Sequence, residues 1–194
     1  MPVYEYGRIA KLDENLRKAG IDLAVVDEIM EGGAAIKSST SPEKKAAWMK
    51  TAMRRMNRLL GLETRHAVRE ACACCLGGKR EALVKQIARN YDNLDERIRA
   101  ANEAKLVFGH SVTLQEDGRV LVRFAPDEST NNRCVCLPKA EGVMPVTYCY
   151  CCGGHIKHHL QIALDRELAM VVRSSALSSG GKRPCSFWFT IKPC

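Results

Sequence analysis

Ten of the 194 residues are cysteine, and they are grouped rather than scattered. Cys72, Cys74 and Cys75 form one group, Cys134 and Cys136 a second, and Cys149, Cys151 and Cys152 a third, with Cys185 and Cys194 beyond them. Thiolate is the form of cysteine that binds metal and attacks electrophiles, so the grouping points to metal or redox chemistry. Disulfides fit less well, because a bridge needs Cα atoms about 5.5–6 Å apart with facing Cβ vectors, a geometry that neighbours such as Cys74–Cys75 meet badly. In an extended segment residues two apart point to one side. Cys134 with Cys136, and Cys149 with Cys151, therefore read as two thiol pairs. Cys149 and Cys151 also precede a helix, whose first amides favour thiolate.

On a helix over 62–76, Cys72 and Cys75 share a face with Val68, Ala71 and Leu76, while Cys74 lies about 160° from Cys72. The expected metal ligands are thus Cys72, Cys75, Cys134, Cys136, Cys149, Cys151 and Cys185. Cys74, turned away, and Cys194, at the chain end, are expected to be dispensable. Structural zinc favours C-x2–4-C pairs, a spacing that Cys72/Cys75 alone supplies. An iron–sulfur cluster takes four cysteines in any compatible geometry, which places iron–sulfur slightly ahead of zinc.

His155, His158 and His159 follow the third cysteine group on one helix, and His155 with His159, four apart, could hold a metal or serve a thiol as base. The competing reading is a polar helix flank. His66 is expected on the surface. Met49, Met53 and Met56 recur at helical spacing and read as core. No Walker A, G-x-G-x-x-G, G-x-S-x-G or H-E-x-x-H pattern is present.

The elements that must position these residues change in kind along the chain. Residues 1–107 read as a helical region. Two short amphipathic pieces flank Gly20, and a helix over 43–60 is capped by Ser41 with Pro42 at its first turn. The helix over 62–76 follows, then a stretch over 80–105 broken near Asn90–Asn93. Residues 108–194 read as a small α+β region. Asp117-Gly118 turns a hairpin between 111–115 and 119–124, with Glu116 facing Arg119. A loop rich in proline leads to a helix over 155–165 opened by Gly153-Gly154, and two strands lie within 168–177 and 184–192. The fold class is α+β: a helical N-terminal half packed on a C-terminal antiparallel sheet in the order strand-strand-helix-strand-strand.

Hydrophobic residues make up 46% and charged residues 27%, values of a globular chain rather than a disordered or fibrous one. No apolar run is long enough to span a membrane, and the first residues lack the apolar stretch of a secretory signal, so a cytoplasmic, reducing location is expected. The net charge of +8 is concentrated between Glu43 and Arg89, where twelve Lys/Arg face four acids. That run could meet nucleic acid or an acidic partner, or be a solvated helical face. Trp48 is its one aromatic, which argues against a stacking platform for single strands.

The run Thr147-Tyr148-Cys149-Tyr150-Cys151-Cys152-Gly153-Gly154, then a helix, a strand ending Arg173-Ser174-Ser175-Ala176-Leu177, a glycine turn and Cys185-Ser186-Phe187-Trp188-Phe189 resembles the 4-vinyl reductase-type domain. It is also similar to the Cys-rich bacterial proteins labelled L-2-amino-thiazoline-4-carboxylic acid hydrolase-like. Ser41–Lys45, Arg133–Leu137 and Pro145–Thr147 look like the fuller-length members. The resemblance implies an antiparallel sheet with a small-molecule pocket and a cysteine metal site at Cys149, Cys151 and Cys185. Cys152, where a small or polar residue is expected, and the extra thiol among Cys72–Cys75 depart from that pattern.

Three functional readings follow. The first is a metal–thiolate protein with a small-molecule-binding domain. The second is a cysteine-dependent hydrolase of a small sulfur-containing or cyclic amide-like substrate. The third is a ligand-sensing module with a basic, partner- or nucleic-acid-binding helical face.

Overall fold

Local sequence signals set most helix starts. Asp22 accepts from the Ala24 amide at 2.8 Å and opens α2 (Leu23–Met30), which follows α1 (Gly7–Lys18) across Gly20. Ser41 accepts from the Lys44 amide and Pro42 occupies the first turn of α3 (Pro42–Leu59). Asn93 caps α6 (Leu94–Glu103), which is separated by a short break from α5 (Lys79–Asn90). The computed structural model describes residues 3–193. The remaining helices are α4 (Leu62–Ala71), α7 (Lys105–Phe108) and α8 (Tyr150–Leu164).

The strands β1 (Ser111–Leu114), β2 (Val120–Arg123), β3 (Leu168–Ser174) and β4 (Ser186–Ile191) form one antiparallel sheet in the order β1-β2-β4-β3. Val122 faces Val112 on one side and Phe187 on the other. Residues two apart (Val120 and Val122, Phe187 and Phe189, Leu168 and Met170) put one sheet face against Ile156, Leu160, Ala163 and Leu164 of α8. The chain is α+β, with its helical N-terminal half packed on this C-terminal sheet. Helices α5, α6 and α7 complete that core, while α1 to α4 build a second one around Leu12, Leu16, Met49, Met53 and Met56, all buried. The methionine stripe is core, as its spacing predicts.

Three local expectations are corrected. The helix expected over 62–76 ends at Ala71, with Cys72 as its cap, so Cys74 and Cys75 lie in a loop. The helix expected from Gly153-Gly154 begins at Tyr150, which places Cys151 and Cys152 in its first turn rather than in an extended segment. At the hairpin, Arg119 pairs with its own neighbour Asp117 at 2.7 Å, not with Glu116, because the aspartate also accepts the Arg119 amide.

Candidate functional site

The Cys74–Cys75 loop is held from outside by two imidazoles. His155 Nδ1 lies 2.8 Å from the Cys74 carbonyl oxygen and His159 Nε2 lies 3.2 Å from that of Cys75. A carbonyl only accepts, so both ring nitrogens donate there. Burial holds both rings below the ordinary histidine value, His159 down to about 4, so each is neutral at pH 7. Cys75 itself sits in the left-handed region at φ 61°. The loop and α8 can approach because Gly154 has no side chain: a Cβ there would stand 2.3 Å from the Glu70 carbonyl oxygen. Tight contact of α4 with α8 is what carries Cys151 and Cys152 up to the loop.

The segment 134–136 supplies the third wall, and Cys136 is its centre. Its sulfur is 3.7 Å from that of Cys152, and its thiol also meets those of Cys134 and Cys74. The Cys74 and Cys75 sulfurs are 3.8 Å apart. Hydrogen bonding to Cys152 lowers the Cys151 thiol against its burial, and Arg69, Arg8 and Lys11 lower it further. Contact with Cys136 and Cys151, together with burial, raises Cys152. Cys74 is raised chiefly by its hydrogen bond to Cys136. The group thus carries unequal protons: Cys151 gives its proton up readily, and Cys152 and Cys74 keep theirs.

Of the expected ligands, Cys134, Cys136, Cys151 and Cys75 are brought into this neighbourhood, and Cys74 and Cys152 join them. Cys74 is there because α4 has already ended, so the helical rotation that would turn it away does not apply. Cys149 and Cys185 are engaged elsewhere, and Cys72 lines a cavity beside Cys74, Cys136 and Cys151 but bonds outside the thiol group. Cys72 points at the Lys11 carbonyl at 3.7 Å, Cys149 is 2.8 Å from the Ser175 hydroxyl, and the Cys185 sulfur accepts the Ala176 amide at 3.4 Å. Burial pushes Cys149 up to about 12. Cys149 and Cys151 diverge because the chain is coiled there, not extended, and two residues of helix turn a side chain by about 200°. Among the described residues no three Cys, His, Asp or Glu side chains gather as a ready metal-binding group; the closest thiols stand in pairs. Cys194 lies outside the described residues.

Two cavities meet at the thiols. One, of about 330 Å3, has Leu106, Val107, Phe124 and Val135 as walls, Arg80 and Lys105 nearby, and Cys74, Cys136, Cys151 and Cys152 at one side. The other, of about 420 Å3, is lined by Tyr6, Arg8, Lys11, Met49, Arg69 and Tyr148, and shares Cys74, Cys136 and Cys151 with the first. The thiols lie between the two chambers, and both have cations in their lining: Arg80 and Lys105 in the first, Arg8, Lys11 and the buried Arg69 in the second.

Residues 10–181 match the model of a family of unknown function, DUF6144. The chain belongs to this family. No curated protein matches this DUF6144 chain in sequence. Among solved structures it is similar to an H-NOX protein from S. oneidensis in the Fe(II)NO ligation state, at 11% identity and a TM-score of 0.41, over 96% of this chain and 99% of that one.

Several site residues of the DUF6144 chain escape sequence reasoning. Arg8 and Lys11 stand one turn apart on α1, Arg69 is far along the chain on α4, and the three carry no motif. His66, expected on the surface, stacks on Tyr150 with ring centroids 3.7 Å apart. The basic run over 43–89 is partly consumed by structure: Arg55 and Arg58 pair with Glu31 and Glu28, Lys85 with Glu81, and Arg69 is buried. A signal for Arg69 exists in retrospect, since it lies one turn before Cys72 on the face that Val68 buries. Among the described residues no helix is long and apolar enough to cross a membrane.

Proposed function

We propose that this protein binds a metal ion through thiolates gathered around Cys136, and that the apolar cavity beside them admits a small molecule to that ion. The observation that carries the reading is that thiols of three chain segments line one cavity, with Cys136 and Cys152 3.7 Å apart across two segments and the neighbours Cys74 and Cys75 3.8 Å apart in the third. Four sulfurs placed tetrahedrally about 2.3 Å from one zinc ion are about 3.8 Å apart, so both pairs already have the edge of such a site. Side-chain rotation of the exposed Cys75 and its neighbour Cys74 toward Cys136 and Cys152 would join the two pairs. The ligand set proposed is Cys74, Cys75, Cys136 and Cys152, with Cys134 and Cys151 hydrogen-bonding around it. A four-iron cluster attaches each thiolate to a different iron and spreads them wider, so these separations fit a single ion such as zinc, or a two-iron cluster with one pair on each iron, better than a four-iron cluster. The positive charge of Arg8, Lys11 and Arg69 supports thiolate at this place. Kinship with the 4-vinyl reductase-type domain and a reducing, cytoplasmic location belong to the same proposal, since metal–thiolate chemistry needs reduced cysteines.

The test is elemental analysis of protein purified without oxygen, with thiol titration and a visible spectrum. About one zinc per chain, lost in Cys136→Ser, is the expected result, because a hydroxyl does not replace thiolate for a borderline-soft ion. A brown protein containing iron and sulfide would replace zinc by a cluster. Metal-free protein whose thiols all titrate, and which takes up no zinc or iron on reconstitution, would remove the proposal.

A further inference from the structure

Three cations face the second cavity and no carboxylate answers them. Arg69 is 3% exposed. Its Nη2 donates to the Tyr148 carbonyl oxygen at 3.2 Å, its guanidinium lies 4.8 Å from the centre of the Tyr148 ring, and its Nε has no partner. Arg8 donates to the Cys136 carbonyl oxygen and Lys11 to that of Ala73. Among the described residues none of the three makes an ion pair with an acid, and no Asp or Glu lines the cavity.

Carbonyl dipoles satisfy donors but do not cancel charge. A buried guanidinium without a counter-ion is costly, and proteins rarely keep one unless something negative arrives. Even an ionised Cys151 thiol would set one negative charge against three positive ones. The rest of the cavity is apolar or aromatic: Met49, Tyr6, and the buried ring of Tyr148. Its volume of about 420 Å3 is within the range of small-molecule sites.

We propose that this cavity is a binding site for the carboxylate of a small organic acid. The carboxylate sits against Arg69, Arg8 and Lys11, the free Nε of Arg69 donates to it, and an apolar body lies along Tyr6, Met49 and Tyr148. Guanidinium matches a carboxylate in a two-donor geometry, and the buried Arg69 with its unpartnered Nε sets this cavity apart from the chamber across the thiols, whose cations are Arg80 and Lys105. The site stands on the cations and the cavity, and does not depend on a metal at Cys136.

The experiment is a thermal-shift and calorimetric titration of the full chain with benzoate and hexanoate, their amides benzamide and hexanamide, and inorganic phosphate. Sodium chloride balances ionic strength, and each run is made on the wild type and on Cys136→Ser. The expected result is saturable stabilisation by at least one acid, none by its amide, and binding weakened tenfold or more in Arg69→Met. Lys11→Met, at a half-buried position, gives the same weakening without disturbing the core if Arg69→Met does not fold. Equal binding of acid and amide overturns the proposal, as does binding unchanged in Lys11→Met. Binding of phosphate alone makes the site one for inorganic anions and overturns the organic-acid assignment. Absence of any shift with all five compounds in both proteins overturns it outright. An acid that binds Cys136→Ser but not the metal-loaded wild type shows that the metal–thiolate group is the counter-ion, which also overturns it.

Discussion

Cys136 and Cys149 are thirteen residues apart and both largely enclosed, yet their surroundings differ completely. Cys136 meets Cys134 of its own segment and one thiol from each of two others, Cys152 and Cys74, and lines two cavities. Cys149 meets the Ser175 hydroxyl inside a packed core and borders no cavity thiol. Cys185 resembles Cys149 in bonding within its own neighbourhood, whereas Cys72 bonds the Lys11 carbonyl oxygen and yet lines the second cavity. The contrast shows that a cysteine-rich chain can use one residue type in two ways. Thiols that face thiols share protons and can share an ion, whereas thiols that face a hydroxyl or amide behave as small polar core residues. Position in the sequence does not separate the two groups, since Cys149 and Cys151 are two residues apart and fall on opposite sides of the division.

The largest expected effect is a split in metal content across a serine series. Cys152→Ser and Cys74→Ser should lose nine-tenths or more of the bound ion, because each removes a sulfur from one of the two close pairs. Cys149→Ser and Cys185→Ser should keep the stoichiometry of the wild type, with a stability change of about 1–2 kcal/mol from altered core hydrogen bonding. Mass spectrometry of the intact protein under native conditions reads the first quantity, and urea unfolding reads the second. Retention of metal in Cys152→Ser together with loss in Cys149→Ser would reverse the division of the two groups.

The next effect probes the contact that brings the thiol group together. Gly154→Ala places a methyl group 2.3 Å from the Glu70 carbonyl oxygen, a backbone atom that cannot swing aside. The helices α4 and α8 must separate, at a cost of about 3 kcal/mol by analogy with overpacked cores. The separation also draws Cys151 and Cys152 from the Cys74–Cys75 loop. Gly154→Ala should therefore lower the melting temperature and weaken metal binding together, while leaving the Cys149–Ser175 neighbourhood closed to alkylation by iodoacetamide. Gly20→Ala, in a turn where no atom crowds the added carbon, should disturb neither the metal nor the thiols.

How much of this was readable beforehand follows the physics of each feature. The capped start of α3 at Ser41-Pro42, the methionine core and the antiparallel hairpin at Asp117-Gly118 are local patterns, and they fold as their patterns require. The α+β order also follows from such patterns. The thiol group was legible as composition and as the Cys134/Cys136 and Cys151 positions, but its membership was not. That depended on two element boundaries: the end of α4 at Ala71 and the start of α8 at Tyr150. Each boundary lies about five residues from its expected place, and whether a cysteine sits on a helix or in a loop decides which way it points. Arg8 and Lys11 share a face of α1 at helical spacing, but Arg69 joins them through packing of α1 on α4, a long-range event that no periodicity records.

The smallest effect concerns the imidazoles that hold the Cys74–Cys75 loop. His159 is fully buried, and burial lowers its value from 6.5 in the unfolded chain to about 4 in the folded one. Between those values the unfolded chain takes up a proton that the folded ring refuses. Stability contributed by the neutral ring is therefore fully present above pH 6.5 and declines as pH falls toward about 4. His155 is lowered for the same reason and adds in the same direction. Melting temperature should fall by several degrees across this window beyond the change seen in His159→Leu, which has no proton to gain there. The leucine variant also releases the Cys75 carbonyl oxygen, so the loop should loosen and Cys75 should alkylate faster at pH 7. Cys149 should alkylate no faster in that variant, since its partner is the Ser175 hydroxyl, which takes no part in the imidazole contact. A melting temperature that is flat from pH 7 to 4.5 in the wild type, or identical slopes in the two proteins, would remove the histidines from the support of the thiol group and leave the α4–α8 contact at Gly154 as its chief support.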